Sequence, residues 1–133
     1  IVKYVKREIV MEFKSQICTT KEQSERLLAL GLKKETADMV HYLSRSFAEC
    51  WAIIPLDNGE VAENNDLEIP AWSLHRLLCL IPKEVNINGF KFPLRSDVIM
   101  RLEDVDFMYE RLIGVIERVI KEGLFNKDYL EEE

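Results

Sequence analysis

His75 and Cys79 stand four residues apart in the run Ile69-Pro70-Ala71-Trp72-Ser73-Leu74-His75-Arg76-Leu77-Leu78-Cys79-Leu80-Ile81-Pro82. On a helix that spacing brings an imidazole and a thiol to one face. The pair suits two ligands of one zinc ion, or a base beside a nucleophilic sulfur. His41 and Cys50 would complete a Cys2His2 set, but their spacing matches no zinc signature and the chain has no clustered ligand pair. No cysteine-hydrolase signature surrounds Cys79. A polar histidine near a helix start and an ordinary free thiol is the simpler reading. We therefore expect no metal, no cofactor and no catalytic residue. A small enzyme or zinc-dependent protein centred on His75 and Cys79 is the alternative.

Other chemistry is sparse. The five glycines, at 31, 59, 89, 114 and 123, are isolated, so no glycine-rich phosphate loop exists. The stretch 57–68 carries Asp57, Glu60, Glu63, Asp66 and Glu68 without a basic residue. It lacks the alternating ligands and closing glutamate of a calcium loop and reads as a solvated acidic loop. Leu74-His75-Arg76-Leu77-Leu78 has the Leu-x-x-Leu-Leu pattern of helices that dock in partner grooves, but a core needs the same leucines. Lys plus Arg total 18 and Asp plus Glu 24, so the net charge is 18 − 24 = −6. A negative chain without a basic run is a poor match for phosphate backbones, and we expect no nucleic-acid binding. Cys18, Cys50 and Cys79 are an odd, widely spaced set, which argues for free thiols in a reducing compartment. No apolar run approaches the ~20 residues that span a bilayer, and residues 1–17 interleave charged with apolar side chains. The expectation is a cytoplasmic protein with no membrane contact.

The elements that would position these residues can be read locally. Ser73 is a good N-cap, placing Trp72 before the cap and Leu77 at the fourth helical position, where the two can staple. Leu74, Leu77, Leu78 and Ile81 form one apolar stripe, and Pro82 stops the helix. Earlier, Thr19 with Glu22 or Thr20 with Gln23 fits a capping box for a helix from Lys21 to Leu30, closed by Gly31. Lys33 to Asp38 reads as a turn or one extra helical turn. Residues 39–56 fit either a helix or a hairpin; the aromatic and β-branched content favours a hairpin over 39–44 and 49–55, turning at Ser44-Arg45-Ser46. Asn88-Gly89 joins Val85–Ile87 to Phe90–Phe92 in a two-residue hairpin. Asp97 to Glu103 alternates Val98, Met100 and Leu102 with Ile99, Arg101 and Glu103, as a third strand would. Tyr109, Leu112, Ile113, Ile116, Val119 and Ile120 form the stripe of a long last helix, capped by Asp106 and closed by Gly123. Asn126 is placed to cap a final turn through Leu130. The sum is a single α+β domain over 1–133. Its antiparallel sheet, a hairpin plus a three-stranded meander, is packed by about three helices in one or two layers. Residues 1–16 read as a peripheral arm, and Met11 is a candidate natural start.

Four blocks, at 18–28 (Cys18-Thr19-Thr20-Lys21-Glu22-Gln23 onward), 35–39, 70–77 (Pro70-Ala71-Trp72-Ser73 onward) and 121–130 (Lys121-Glu122-Gly123-Leu124-Phe125 onward), resemble the recurring blocks of a family. Its members are small uncharacterised proteins of Bacteroides-group gut bacteria, their phages and mobile elements. The resemblance spans Cys18 to Leu130. It implies a prokaryotic, cytoplasmic origin and transfers no site residue.

A clear fold signal without catalytic chemistry favours a non-enzymatic interaction or accessory protein that binds another protein or itself. Ile99 falls on the polar face of the expected third strand, and Phe107, Met108 and Val115 fall beside the main stripe of the last helix. That is more apolar surface than one core layer needs. It favours a homodimer over a monomer in which residues 1–17 cover the surface.

Overall fold

The computed structural model describes residues 15–43, 51–55, 67–103 and 105–132. Expectations for residues 1–14, for the Ser44-Arg45-Ser46 turn and for 56–66 fall outside them. The elements run α1 (Lys21–Ala29), β1 (Met39–Leu43), β2 (Trp51–Pro55), β3 (Leu67–Ala71), α2 (Leu74–Leu80), β4 (Val85–Ile87), β5 (Phe90–Phe92), α3 (Leu94–Met100) and α4 (Met108–Lys121). Short 3-10 turns occupy Lys34–Thr36, Val105–Phe107 and Lys127–Tyr129. Among the described residues, four helices and two small antiparallel sheets make an α+β fold, as expected.

The helix ends follow the sequence signals. Thr20 Oγ1 accepts from the Gln23 backbone N–H, and the Gln23 side chain accepts from the Thr20 N–H. Of the two capping boxes in the sequence, the chain uses this one. Gly31 and Gly123 have φ of +97° and +71°. Each closes its helix with paired bonds: Gly31 N to Leu28 O with Leu32 N to Leu27 O, and Gly123 N to Ile120 O with Leu124 N to Val119 O. An alanine would strain these left-handed positions. The end of α4 turns back, and Phe125 is buried. Asn126 Oδ1 accepts from Asp128 N and caps the last turn. The residue at the cap position of α4 is Phe107, one beyond the expected Asp106, because the 3-10 turn Val105–Phe107 runs straight into the helix.

Two strand assignments change. Asp97–Glu103 is not a strand: Leu94–Met100 is the helix α3. Alternation over seven residues also satisfies a helical face, because Leu94, Val98 and Leu102 recur every four. Those three pack on the core, while Ile99 and Met100 are exposed. Pro93 lacks the N–H that a first turn leaves unused, and Arg101 pairs with Asp97 at i,i+4. The third strand lies instead at Leu67–Ala71, across the end of the expected acidic loop and the start of the proline-bracketed stretch. It pairs antiparallel with β1, as β2 does on the other side, giving the order β2-β1-β3. Pro70 is tolerated there because β3 is an edge. The hairpin of β1 and β2 matches the expectation within a residue or two. β4 and β5 form their own two-stranded sheet, with Ile87 opposite Phe90 and Val85 opposite Phe92.

The core lies among α1, α2 and α4. α4 packs on both other helices, and α1 also packs on β3. Leu27, Trp72, Leu77, Ile81, Leu112, Ile113 and Ile116 are completely or almost completely buried. Arg26 Nη1 reaches Glu110 Oε2 at 2.7 Å and Gln23 Nε2 donates to Glu110 Oε1 at 2.9 Å, tying α1 to α4. The Gln23 amide and then the Arg26 guanidinium hold the Glu110 carboxyl below the usual range. A clasp joins distant segments: Lys33 N donates to Tyr129 O, Glu131 N donates to Gly31 O, and Leu32 bridges to Leu130.

Candidate functional site

α2 is placed by a web of short polar contacts. Its cap, Ser73, accepts from Arg76 N at 3.1 Å. The Ser73 backbone N–H and hydroxyl both donate to the Asp38 carboxylate at the end of the 34–36 turn. Trp72 Nε1 donates to Thr36 Oγ1 at 2.9 Å, and Thr36 Oγ1 donates to Lys33 O. Thr19 N donates to Trp72 O, and Trp72 N donates to Thr19 Oγ1, which also bonds the buried Ser24 hydroxyl. Thr19, Ser24 and Trp72 are buried and Thr36, Asp38 and Ser73 half-buried, and by satisfying each other they fix the start of α2.

From that start, the helical repeat carries His75 and Cys79 to the solvent side. Cys79 Sγ lies 3.4 Å from His75 Nε2, and both residues are exposed. Cys79 opens into a cleft of about 500 Å³ bordered by Arg76, Lys33, Glu35, Asp128 and Glu131. The spacing thus does bring imidazole and thiol together. Among the described residues, however, no three His, Cys, Asp or Glu side chains converge to hold a metal. Cys50 lies outside the described residues. His41 is engaged elsewhere: its Nε2 donates to Thr19 O at 2.7 Å.

The structure also pairs Cys18 with His41, which the sequence reading missed. Cys18 Sγ lies 3.9 Å from His41 Nε2. Burial, and then the negative charge of Asp38, push the Cys18 thiol up to about 11. The nitrogen nearest the sulfur already donates to a carbonyl, so it cannot take the thiol proton. Cys18 is structural. At pH 8 its thiolate fraction is about one in a thousand, and a disulfide reagent needs thiolate and access. In a Cys50→Ser background we expect Cys79 to react at least about a hundredfold faster than Cys18. Stopped-flow thiol titration with mass mapping measures the ratio, and equal rates would contradict this description of Cys18.

Trp72, Leu74, Leu77 and Leu78, singled out as structural, all belong to the core or pack against it. The Leu-x-x-Leu-Leu pattern is therefore occupied inside the fold. Asn88 and Gly89 have φ of 53° and 84°, as a tight hairpin turn requires.

A second concavity lies between the β4–β5 hairpin, α3 and α4. It holds about 320 Å³, and Val85, Phe92, Leu94, Val98, Val115 and Val119 contribute its apolar lining. Arg101, Arg111 and Arg118 line it together with Asp97 and Glu122. Arg101 pairs with Asp97 and Arg118 with Glu122, each within its own helix. Arg111 has no ion pair among the described residues. The hairpin's apolar face runs outward from buried Val85 to Ile87 and Phe90, which are 49% and 65% exposed. Met100 on α3 is 82% exposed. Sequence reasoning had noticed Ile99, Phe107 and Val115 as surplus apolar residues. Of these, Val115 lines the groove and Ile99 and Phe107 do not, and the groove has no counterpart in a reading of Asp97–Glu103 as a strand.

No protein-family model, no curated protein and no solved structure matches the chain.

Proposed function

We propose that the protein is a non-enzymatic interaction or accessory protein of a bacterium, phage or mobile element, acting in the cytoplasm by binding another protein through the face built from β4–β5, α3 and α4. One observation carries this reading: an apolar groove whose lining includes the exposed Ile87, with the exposed Phe90 opposite it across the hairpin. Large side chains left in water around a concavity are the usual mark of an association surface. The free thiols of Cys18 and Cys79 suit a reducing compartment, and no helix among the described residues is long and apolar enough to cross a membrane. The second reading, a zinc-dependent protein or enzyme at His75 and Cys79, draws on their 3.4 Å contact beside a cleft.

One preparation tests both. The full chain, purified without chelator, is assayed for zinc and used to capture proteins from an extract of its native host. A Phe90→Ser, Met100→Ser variant, altered only at exposed positions, is run beside it. We expect captured proteins that the variant loses, and no stoichiometric zinc. Capture that is identical for both chains counts against the reading, and zinc that disappears in Cys79→Ala transfers support to the second one.

A further inference from the structure

We propose that the groove between β4–β5, α3 and α4 receives an acidic amphipathic helix of a partner protein, its apolar side on Ile87, Phe92 and Val115 and its carboxylates toward Arg111 and Arg118. The inference rests on the interaction reading above and names the partner's chemistry.

Charge is the first argument. The groove lining carries three arginines against Asp97 and Glu122, a balance of 3 − 2 = +1. The whole chain carries −6, so everything outside the groove carries −6 − 1 = −7. The groove is thus a local reversal of sign on an acidic molecule. Its two carboxylates are already paired within their own helices, which leaves the Arg111 charge uncompensated among the described residues. A carboxylate on the incoming surface complements it.

The same charges disfavour a second copy. A two-fold contact places a patch against itself, and here that sets an arginine-rich rim against an arginine-rich rim.

Shape is the second argument. α4 presents Arg111, Val115, Arg118 and Glu122 at i, i+4, i+7 and i+11, a lane along one side of the helix. Gly114 lies beside that lane, exposed, with nothing within 4 Å of the place a Cβ would take. A glycine inside a helix costs about 1 kcal/mol relative to alanine, and no neighbour among the described residues requires it. Its bare backbone lets a second helix come close. Helices recognised in grooves place apolar anchors at i, i+3 or i+4, and i+7, which fits a groove with Ile87, Phe92 and Val115 in its lining and arginines beside them.

The test is a display selection with random peptides of about 18 residues against the immobilised full chain, followed by anisotropy titration of the enriched peptides. We expect enriched sequences with excess Asp and Glu and apolar residues at helical spacing. Their affinity should fall at least tenfold in Arg111→Glu and weaken as salt rises. Arg111 is exposed, so an unchanged thermal melt separates lost binding from lost fold. No enrichment, no acidic excess, or equal affinity for wild type and Arg111→Glu each overturns the proposal. Enriched peptides without acidic excess that still perturb Val115 in methyl NMR spectra would remove the acidic helix while leaving the interaction reading standing. A dimer by light scattering that Arg111→Glu dissociates would assign the groove to a second copy. Tighter peptide binding after removal of residues 1–14 would assign it to the chain's own first segment. Either result also overturns the proposal.

Discussion

Replacing Trp72 with alanine is expected to lower stability by about 3–5 kcal/mol. The indole is fully buried between the end of β3 and the start of α2. Its removal opens a cavity among Leu27, Leu77 and their neighbours in the same cluster and takes the Nε1 donor from Thr36. The backbone bonds that Trp72 exchanges with Thr19 survive in the variant, so the loss is one of packing first and hydrogen bonding second. A Trp72→Phe variant keeps most of the apolar volume and loses the donor with the smaller ring of the indole, and about 1–2 kcal/mol is expected there. Urea unfolding measures both, with the slope unchanged if only stability moves. Native domains hold only about 5–15 kcal/mol in all, so Trp72→Ala should shift the midpoint far. A loss below about 1 kcal/mol would mean that the indole does not fill the centre of the fold.

The second large effect separates two adjacent leucines. Leu77 is completely buried and Leu78 only partly so, although both pack against the same core. Leu77→Ala should cost about 2–5 kcal/mol and Leu78→Ala about 1 kcal/mol. Similar losses at the two positions would require α2 to sit at a different rotation about its axis. That rotation would move Cys79 off the solvent side, so the same pair of variants tests the geometry of the His75–Cys79 contact.

What the sequence disclosed was mostly short-range. Ser73, the Thr20–Gln23 box, Gly31, Gly123 and Asn88-Gly89 act within a turn or two, and each works where its local pattern placed it. The approach of His75 to Cys79 was legible for the same reason, being a consequence of the helical repeat alone. The misreadings came where one pattern served two periods. Val98 and Leu102 belong to an alternating set and to a four-residue set, and only packing against the core selects the second. Pro70 hid β3, because a proline lowers the strand signal without forbidding an edge. The polar web was illegible in another way. Thr19 and Trp72, or Cys18 and His41, are far apart in the chain, and no local rule states that they meet. The groove needed both kinds of information, since its walls come from a hairpin, a short helix and a long helix that only tertiary packing brings together.

The clasp between residues 31–33 and 129–131 bears on how the molecule is made. Synthesis delivers α1 early, yet the carbonyl of Gly31 and the N–H of Lys33 meet their partners only after Tyr129 and Glu131 exist. α4, which supplies five buried side chains, also arrives late. Contacts that span most of a chain carry a high loop-closure cost and form slowly. A chain that stops before α4 therefore leaves uncovered the parts of α1 and α2 on which α4 packs, a species that chaperones and proteases recognise. Consolidation of the core waits on α4 and the clasp, so a chain cut before them loses the contacts that close the fold.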